Sequence, residues 1–454
     1  MRNLPWPAVT LATALALGGH WGVHSGSASS LSPVSSANAA GMRGDEGPQY
    51  PRLSTVSSVN AASTAPSQAP DGGFKQTVVF GDSLSDDGAY TLAAVSVYSV
   101  APYNVAFDGL PYPEGGQFTV NGAPSGNWTS ILAQDLGLRM TPNLVGYGSP
   151  QGAVYLTPFG VTTNVTQALC AFALQGSCTD FAEGGSMVRN PDGIGHAQGA
   201  LTIPVTQQVR NYHAQFGAFN PSQLITVFAG NNDVFAALAN LSTQVQSAVT
   251  EAVVEAAQAG SPLTQDQIAA VQQRATLHAL KVAQSTVAAA ADQLAAVVQK
   301  IIAMGGRYVM VYTLPDSSLS PFGQSLSGGT TCNNQDPAQP CYILSRLVKV
   351  FNQRLLNQLQ GRPVKMIDGY ALFNQEVAQP AQFGFTNVTT PWCNMQLVPS
   401  SLLCNVNTPN AAAGASPSNL GSWLFADTVH PTPAGYQVIA AATLQAMAGF
   451  GWAP

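Results

Sequence analysis

Residues 77–83 read TVVFGDS, a short apolar run that ends in a glycine, an aspartate and Ser83. Such a run predicts a strand that is buried on both faces. Three more runs of the same character follow it: 224–229 (LITVFA), 307–314 (RYVMVYTL) and 364–367 (VKMI). Helical patterns separate the runs, most clearly over 264–304, 343–359 and 433–448. Strands that alternate with helices predict a parallel sheet covered on both faces, so we expect a three-layer α/β/α fold.

Three long segments fit this alternation badly and are rich in loops: 85–180, 315–342 and 373–426. Loops of such length in a compact domain are usually functional. We interpret them as insertions that build a cleft.

Ser83 follows the first strand directly. In an open parallel sheet, ligands bind beyond the carboxyl ends of the strands, so this position is one where chemistry is expected. We expect Asp82 to hydrogen-bond the backbone of the turn around Ser83, and Asp86 and Asp87 to cap a following helix. The GDS triplet alone is a weak signal, because motifs this short also occur by chance.

Four blocks together make the signal specific. In chain order they are FGDSLSD (80–86), DFAEGGS (180–186), GNND (230–233) and DTVHP (427–431). They resemble the blocks of the GDSL family, also called SGNH hydrolases, with Asp180 where that family usually has Asn. The resemblance spans about residues 74–449 and implies one hydrolase domain over 74–454. Within the family, the chain looks most like bacterial secreted esterases, phospholipases and haemolysin-like lipases.

A serine hydroxyl needs a base to take its proton and a third group to orient that base. His430 lies three residues after Asp427, so one turn can hold both side chains. We therefore predict Ser83, His430 and Asp427 as a catalytic triad. Three other histidines follow the N-terminal leader: His196, His213 and His278. The last two lie in helical patterns and are expected to be structural, whereas the first stays open as an alternative base.

Acyl transfer places negative charge on the carbonyl oxygen, and fixed donors aimed at that oxygen stabilise it. The resemblance implies three donors, namely the Ser83 N–H, the Gly184 N–H and the Asn232 side-chain amide. Gly185 is adjacent to Gly184, so the glycine position stays open by one residue. Asp233 is expected to be structural.

The N-terminus has the features of an export signal, with Arg2, an apolar stretch over 9–17 and Ala37-Asn38-Ala39 as a cleavage site. We expect a signal peptide over 1–40 and a flexible linker over 41–73, which is rich in Ser, Ala, Pro and Gly. The apolar stretch is too short to cross a membrane. The expected location is therefore extracellular or periplasmic.

An even number of cysteines in an exported chain suggests disulfides. The six cysteines fall into near neighbours that bracket loops, so we favour sequential pairing: Cys170 with Cys178, Cys332 with Cys341, and Cys393 with Cys404. No CxxC motif occurs and no histidine lies at ligand spacing, so we predict neither a metal site nor a cofactor.

Only 8% of the residues are charged, against roughly 25% in an ordinary domain, and the net charge is -6. The absence of a Lys/Arg run excludes a nucleic-acid partner. Aromatic residues in the loop-rich segments suit acyl chains or aryl esters. They are Tyr98, Tyr103, Phe107, Tyr112, Tyr147, Tyr155, Phe159 and Trp392.

The sequence therefore predicts an exported esterase or lipase that hydrolyses carboxylic esters. A lipid acyltransferase with the same site is the alternative. A noncatalytic surface protein on a hydrolase fold is disfavoured because every expected catalytic residue is present. An esterase joined to a membrane barrel is disfavoured because residues 433–449 have a helical pattern. The oligomeric state stays open.

Overall fold

The computed structural model describes residues 57–90, 116–123, 126–145, 168–169, 177–198, 200–328, 331–337, 339–398 and 401–453. The predicted signal peptide and the first part of the predicted linker lie outside these residues. Of the aromatic residues expected in the cleft, Trp392 alone lies among them.

Six strands form one parallel sheet, in the order β2-β5-β1-β6-β7-β8. In chain order the strands are β1 (Gln76–Gly81), β2 (Thr141–Pro142), β3 (Leu144–Val145), β4 (Ala168–Leu169), β5 (Cys178–Asp180), β6 (Gln223–Phe228), β7 (Tyr308–Tyr312) and β8 (Lys365–Ile367). β3 and β4 pair separately and antiparallel. All residues of β6 and β7 are buried, which explains why their sequences are continuously apolar rather than alternating.

Helices cover the sheet in two layers. They are α1 (Ser57–Ala61), α2 (Trp128–Asp135), α3 (Val205–Phe216), α4 (Asn231–Gln258), α5 (Gln265–Ala303), α6 (Pro321–Ser325), α7 (Pro340–Leu359), α8 (Gly369–Ala378) and α9 (Pro433–Phe450). α4, α5 and α7 pack on one another, and α9 packs on α2. The predicted three-layer α/β fold with a parallel sheet is confirmed.

The longest helix, α5, begins as its sequence indicates. Thr264 and Gln267 form a capping box in which each side chain accepts a hydrogen bond from the backbone N–H of the other residue. Among the described residues, α5 is the one helix long and apolar enough to cross a membrane, and 44% of its most apolar stretch is buried.

The segments predicted as loops contain three helices, namely α2, α6 and most of α8. Each has a side-chain cap that marks its start: Asn127, Ser320 and Asp368 accept hydrogen bonds from N–H groups of the first turn. These helices are short, so their hydrophobic period is weak and the cap is the clearer signal.

Residues 57–70 differ from the linker prediction. The Asn60 amide pairs with the backbone N–H and C=O of Met366 on the edge strand β8, at 2.7 and 3.0 Å. The Ser63 hydroxyl donates to the Val364 carbonyl, and the Trp452 indole donates to the Pro66 carbonyl. These bonds engage backbone groups at the edge strand β8 that would otherwise be open to pairing with other chains. The fold therefore begins before Phe74.

Two of the predicted disulfides are present, Cys332–Cys341 and Cys393–Cys404. Cys178 is disulfide-bonded as well, and Cys170, its predicted partner, lies outside the described residues.

Candidate active site

The turn after β1 holds Ser83 at the carboxyl edge of the sheet. Gly81 allows close strand contact there, because a Cβ atom at this position would lie 2.5 Å from the Phe228 carbonyl oxygen. Asp82 accepts hydrogen bonds from the N–H groups of Leu84, through Oδ1, and Ser85, through its carbonyl. Asp82 therefore supports the turn, as its position in the motif predicts.

A chain of two short hydrogen bonds links Ser83 to His430 and Asp427. His430 Nε2 lies 2.8 Å from Ser83 Oγ, and His430 Nδ1 lies 2.7 Å from Asp427 Oδ2. Asp427 Oδ1 also accepts the backbone N–H groups of Val429 and His430, at 2.8 and 2.7 Å. The spacing of three residues thus brings acid and imidazole together, as the sequence predicts.

Asp427 is held in its ionised form. Burial alone would raise its pKa, but the facing His430 ring and the hydrogen bonds from His430 and Val429 outweigh burial. The net result is a pKa well below the usual range of an aspartate. An ionised acid is what the imidazole requires when it takes up a proton.

A disulfide-closed loop supplies a further donor to this acid. The Ser401 N–H lies 3.0 Å from Asp427 Oδ2, and Ser401 belongs to the loop closed by Cys393–Cys404. Asn121 holds the same loop, because its Nδ2 donates to the carbonyls of Ser401 and Cys404 at 3.1 and 2.9 Å. No motif in the sequence marks this support, since its donors are backbone groups.

The three expected oxyanion donors differ in whether their N–H groups already have an acceptor. The Gly184 N–H already donates to Asp86 Oδ2 at 2.8 Å, which is a correction to the predicted assignment. Among the described residues, the Ser83 and Gly185 N–H groups have no acceptor, so the neighbouring glycine is the better candidate. Asn232, in the first turn of α4, donates one amide hydrogen to the Ser186 carbonyl, and its second amide hydrogen has no acceptor among the described residues.

Six buried carboxyl groups lie in the turn after β1 and at the ends of its neighbours β5 and β6. Burial raises the pKa of all six: to about 6 for Asp82 and Asp86, to about 7 for Asp233, and well above the usual range for Asp87, Asp180 and Glu183. Asp87, Asp180 and Glu183, whose pKa values are raised furthest, therefore favour the protonated form at neutral pH, whereas the pKa of Asp427 is lowered and favours the ionised form beside His430.

These acids act mainly as backbone acceptors. Both oxygens of Asp180 accept N–H groups, from Ala182 at 2.9 Å and Asp87 at 2.7 Å, a role that Asn fills with one oxygen only. Asp233 accepts the Val188 N–H, as expected of a structural residue. Asp86 Oδ1 accepts the N–H groups of Gly88 and Ala89, and the helix that it was predicted to cap would lie beyond residue 90, outside the described residues.

A cavity of ≈ 160 Å³ opens on Ser83 and His430. Its wall is largely apolar and includes Leu84, Phe118, Phe228, Phe235, Phe322, Leu372, Phe373, Leu402, Leu424 and Ile439. Trp392 does not line it but is fully buried in a separate core cluster, so its predicted role in the cleft is wrong. His196 and His213 do not line it either, and they contact Thr202 and Gly217 instead.

Among the described residues, no group of three or more His, Cys, Asp or Glu side chains has the arrangement of a metal site.

A family model described as GDSL-like Lipase/Acylhydrolase matches residues 77–443. The chain is 28% identical over 158 residues to "GDSL esterase/lipase EXL2" of Arabidopsis thaliana, covering 33% of this chain and 38% of that protein. It is 36% identical over 155 residues to "Uncharacterized protein in trpE-trpG intergenic region" of Pseudomonas putida, covering 34% and 24%. It is 30% identical over 151 residues to "GDSL esterase/lipase At5g03810" of Arabidopsis thaliana, covering 32% and 40%. The chain thus spans less than half the length of these curated relatives.

Proposed function

Because the chain belongs to the GDSL-like lipase/acylhydrolase family, we propose that it is an exported serine hydrolase of carboxylic esters. Ser83 is the nucleophile, His430 the general base and Asp427 the group that orients the imidazole. The observation that carries the proposal is the hydrogen-bonded chain from Ser83 through His430 to Asp427, at the mouth of an apolar cavity.

The reaction proceeds in two halves. His430 Nε2 takes the proton of Ser83 Oγ while Oγ attacks the ester carbonyl, and the carbonyl oxygen becomes an oxyanion. The Ser83 and Gly185 N–H groups and the Asn232 amide stabilise that oxyanion. The C–O bond to the alcohol then breaks, and His430 returns the proton to the leaving oxygen. Water repeats the sequence on the acyl-enzyme, which releases the acid and restores Ser83.

The cavity supports a lipid or short-chain ester as the substrate, since its wall is largely apolar and has no Lys or Arg among the described lining residues. The disulfides favour an oxidising compartment, which fits export and a place in the bacterial secreted branch of the family. Two of the relatives carry "GDSL esterase/lipase" in their names, which points to the same chemistry.

The test is a series of p-nitrophenyl esters of rising acyl length, with wild type beside Ser83→Ala. We expect the variant to lose activity by a factor of about 10⁶, because the nucleophile is gone. Ser85→Ala is the matched control: it removes a buried hydroxyl without a hydrogen-bond partner in the same turn and should retain activity. Equal activity of wild type and Ser83→Ala would exclude Ser83, and product analysis with an added alcohol would separate hydrolysis from acyl transfer.

A further inference from the structure

One face of α8 forms part of the cavity wall. Gly369, Leu372, Phe373 and Glu376 all line the cavity, and their spacing of three and four places them on one side of the helix. Glu376 is thus one turn beyond Leu372 and Phe373, on the same face. A carboxyl group projects from a wall that is otherwise apolar at this helix.

Among the residues that the structure describes, Glu376 has no side-chain hydrogen-bond or ion-pair partner. Its side chain is 3% exposed, and its Oε1 atom is buried without a hydrogen bond. Asp427, the other carboxyl group of the cavity, accepts four hydrogen bonds. Buried polar groups in native proteins are almost always satisfied, so a lone carboxyl group that faces a substrate cavity requires an explanation.

The Glu376 carboxyl is uncharged at neutral pH. Burial raises its pKa to about 8, and no Lys or Arg of the described segments lines the cavity to favour the ionised form. A neutral carboxylic acid offers one O–H donor and acceptor oxygens, which suit an uncharged oxygen group. The two tyrosine hydroxyls of the wall are already engaged: Tyr90 donates to the Gly184 carbonyl, and Tyr312 shares a hydrogen bond with Thr443.

The enclosed cavity fits the acyl part of the ester. The acyl group stays bonded to Ser83 through both halves of the reaction, whereas the alcohol leaves after the first and must reach bulk water. We propose that Glu376 forms a polar subsite in the acyl cavity, which binds a hydroxyl or carbonyl oxygen on the substrate's acyl chain. The enzyme then selects oxygenated acyl chains over plain hydrocarbon chains. This inference rests on the proposed ester hydrolase function.

The experiment compares methyl octanoate with its monohydroxylated isomers, in which the hydroxyl is moved one carbon at a time along the chain. Methanol is a small leaving group, so kcat/KM reports on the acyl cavity. We expect wild type to prefer at least one isomer by about tenfold, the effect of one added hydrogen bond in a buried site. Glu376→Leu should abolish this preference, and Glu376→Gln, which keeps a donor and an acceptor, should retain part of it.

Phe373→Leu is the matched control on the same helix face, and it should change kcat/KM for both kinds of ester alike. A second readout is the melting temperature: Glu376→Leu should be at least as stable as wild type, since it removes an unpaired buried carboxyl. Should the leucine variant not fold, Glu376→Met gives the same test with a side chain that fills irregular gaps.

The two proposals fail differently. If folded wild type hydrolyses neither methyl octanoate nor any isomer, the ester hydrolase function is wrong. If wild type hydrolyses these esters and Glu376→Leu shows the same ratios for every isomer, the polar subsite alone is overturned. A stronger preference of wild type for chains that end in an ammonium group would overturn the assignment to an uncharged oxygen.

Discussion

The nucleophile and the acid–histidine pair are held in place by two different kinds of structure. Ser83 follows a strand that pairs in parallel with β5 and β6, so the sheet positions it through many backbone hydrogen bonds. Asp427 and His430 lie in an irregular segment outside the sheet, braced by the Ser401 N–H and the Cys393–Cys404 loop. The two halves meet through one hydrogen bond between His430 and Ser83.

The two halves also differ in charge. Burial raises the pKa of the carboxyl groups near Ser83, such as Asp82, whereas hydrogen bonds and the imidazole lower the pKa of Asp427. Similar burial thus gives opposite results, because Asp427 faces the His430 imidazole directly and accepts hydrogen bonds on both oxygens. The comparison indicates that the loop half, which holds Asp427 and His430, depends on its braces, while the sheet half, which holds Ser83, is positioned by strand pairing.

The largest expected effect comes from removing the negative charge of Asp427. Asp427→Asn should lower kcat by about 10⁴, because the amide favours the wrong imidazole tautomer and cannot balance the imidazolium. Steady-state kinetics on a p-nitrophenyl ester measures the loss, with Asp292→Asn at a surface ion pair as the control. A residual activity above one tenth of wild type in Asp427→Asn would show that the loop half carries no essential charge.

Loss of an oxyanion donor on the sheet half should lower kcat by less than the Asp427 substitution does. Asn232→Ala and Asn232→Asp should each lower kcat by about 10²–10³ with little change in KM, since the donor acts in the transition state. Separate kcat and KM values from the same ester series check this. A change confined to KM would instead mean that Asn232 binds the ground-state substrate.

The brace on the loop half should have a smaller effect on rate. Replacing both Cys393 and Cys404 by Ser should lower kcat about tenfold through a misplaced Asp427, at a cost in stability of about 2–4 kcal/mol. The double serine variant at Cys332 and Cys341 is the control. Its disulfide closes a loop of similar length, with a sequence separation of 9 against 11 residues. The hydrogen bonds that leave its described part go to Asp316, Ser318, Gln324 and Ser327, not to the triad.

Activity of both variants is measured well below their melting temperatures. Equal kcat values in the two variants would show that the disulfides stabilise the fold alike and that neither positions the acid.

The smallest expected effect is on the pH dependence of the free energy of unfolding. Burial raises the Asp82 pKa from 3.8 to about 6, so the folded state binds the proton more tightly than the unfolded chain. This contribution to stability is complete below the unfolded pKa and is lost as pH rises through 6. For Asp82 alone the loss between pH 5 and pH 7 is about 1 kcal/mol.

Urea unfolding of Asp82→Asn at several pH values tests this, because asparagine keeps the acceptor for the Leu84 N–H but cannot ionise. The variant should show a shallower fall in unfolding free energy than wild type over that range. Identical slopes would mean that Asp82 is not protonated in the folded state.

The four sequence blocks predicted where the site lies, and the structure brings their residues to one edge of the sheet. Ser83, Asn232, Asp427 and His430 line the same cavity, although their catalytic roles stay predictions. The prediction was less reliable where it depended on one residue's surroundings. Trp392 lies in a core, and residues before Phe74 pack against β8 because Asn60 bonds its backbone.

What the sequence by itself determined is the α/β class, four of the six strands of the parallel sheet, and the residues of the four blocks. The strands follow from apolar runs written within a few residues of one another, and the block residues follow from local spacing and from the resemblance to the family. The tertiary structure alone decided that the Gly184 N–H donates to Asp86 and that the Ser401 N–H donates to Asp427. It also decided that Glu376 faces the cavity without a hydrogen-bond partner among the described residues. Each depends on which groups distant in the chain come within hydrogen-bonding distance, and no local pattern encodes that.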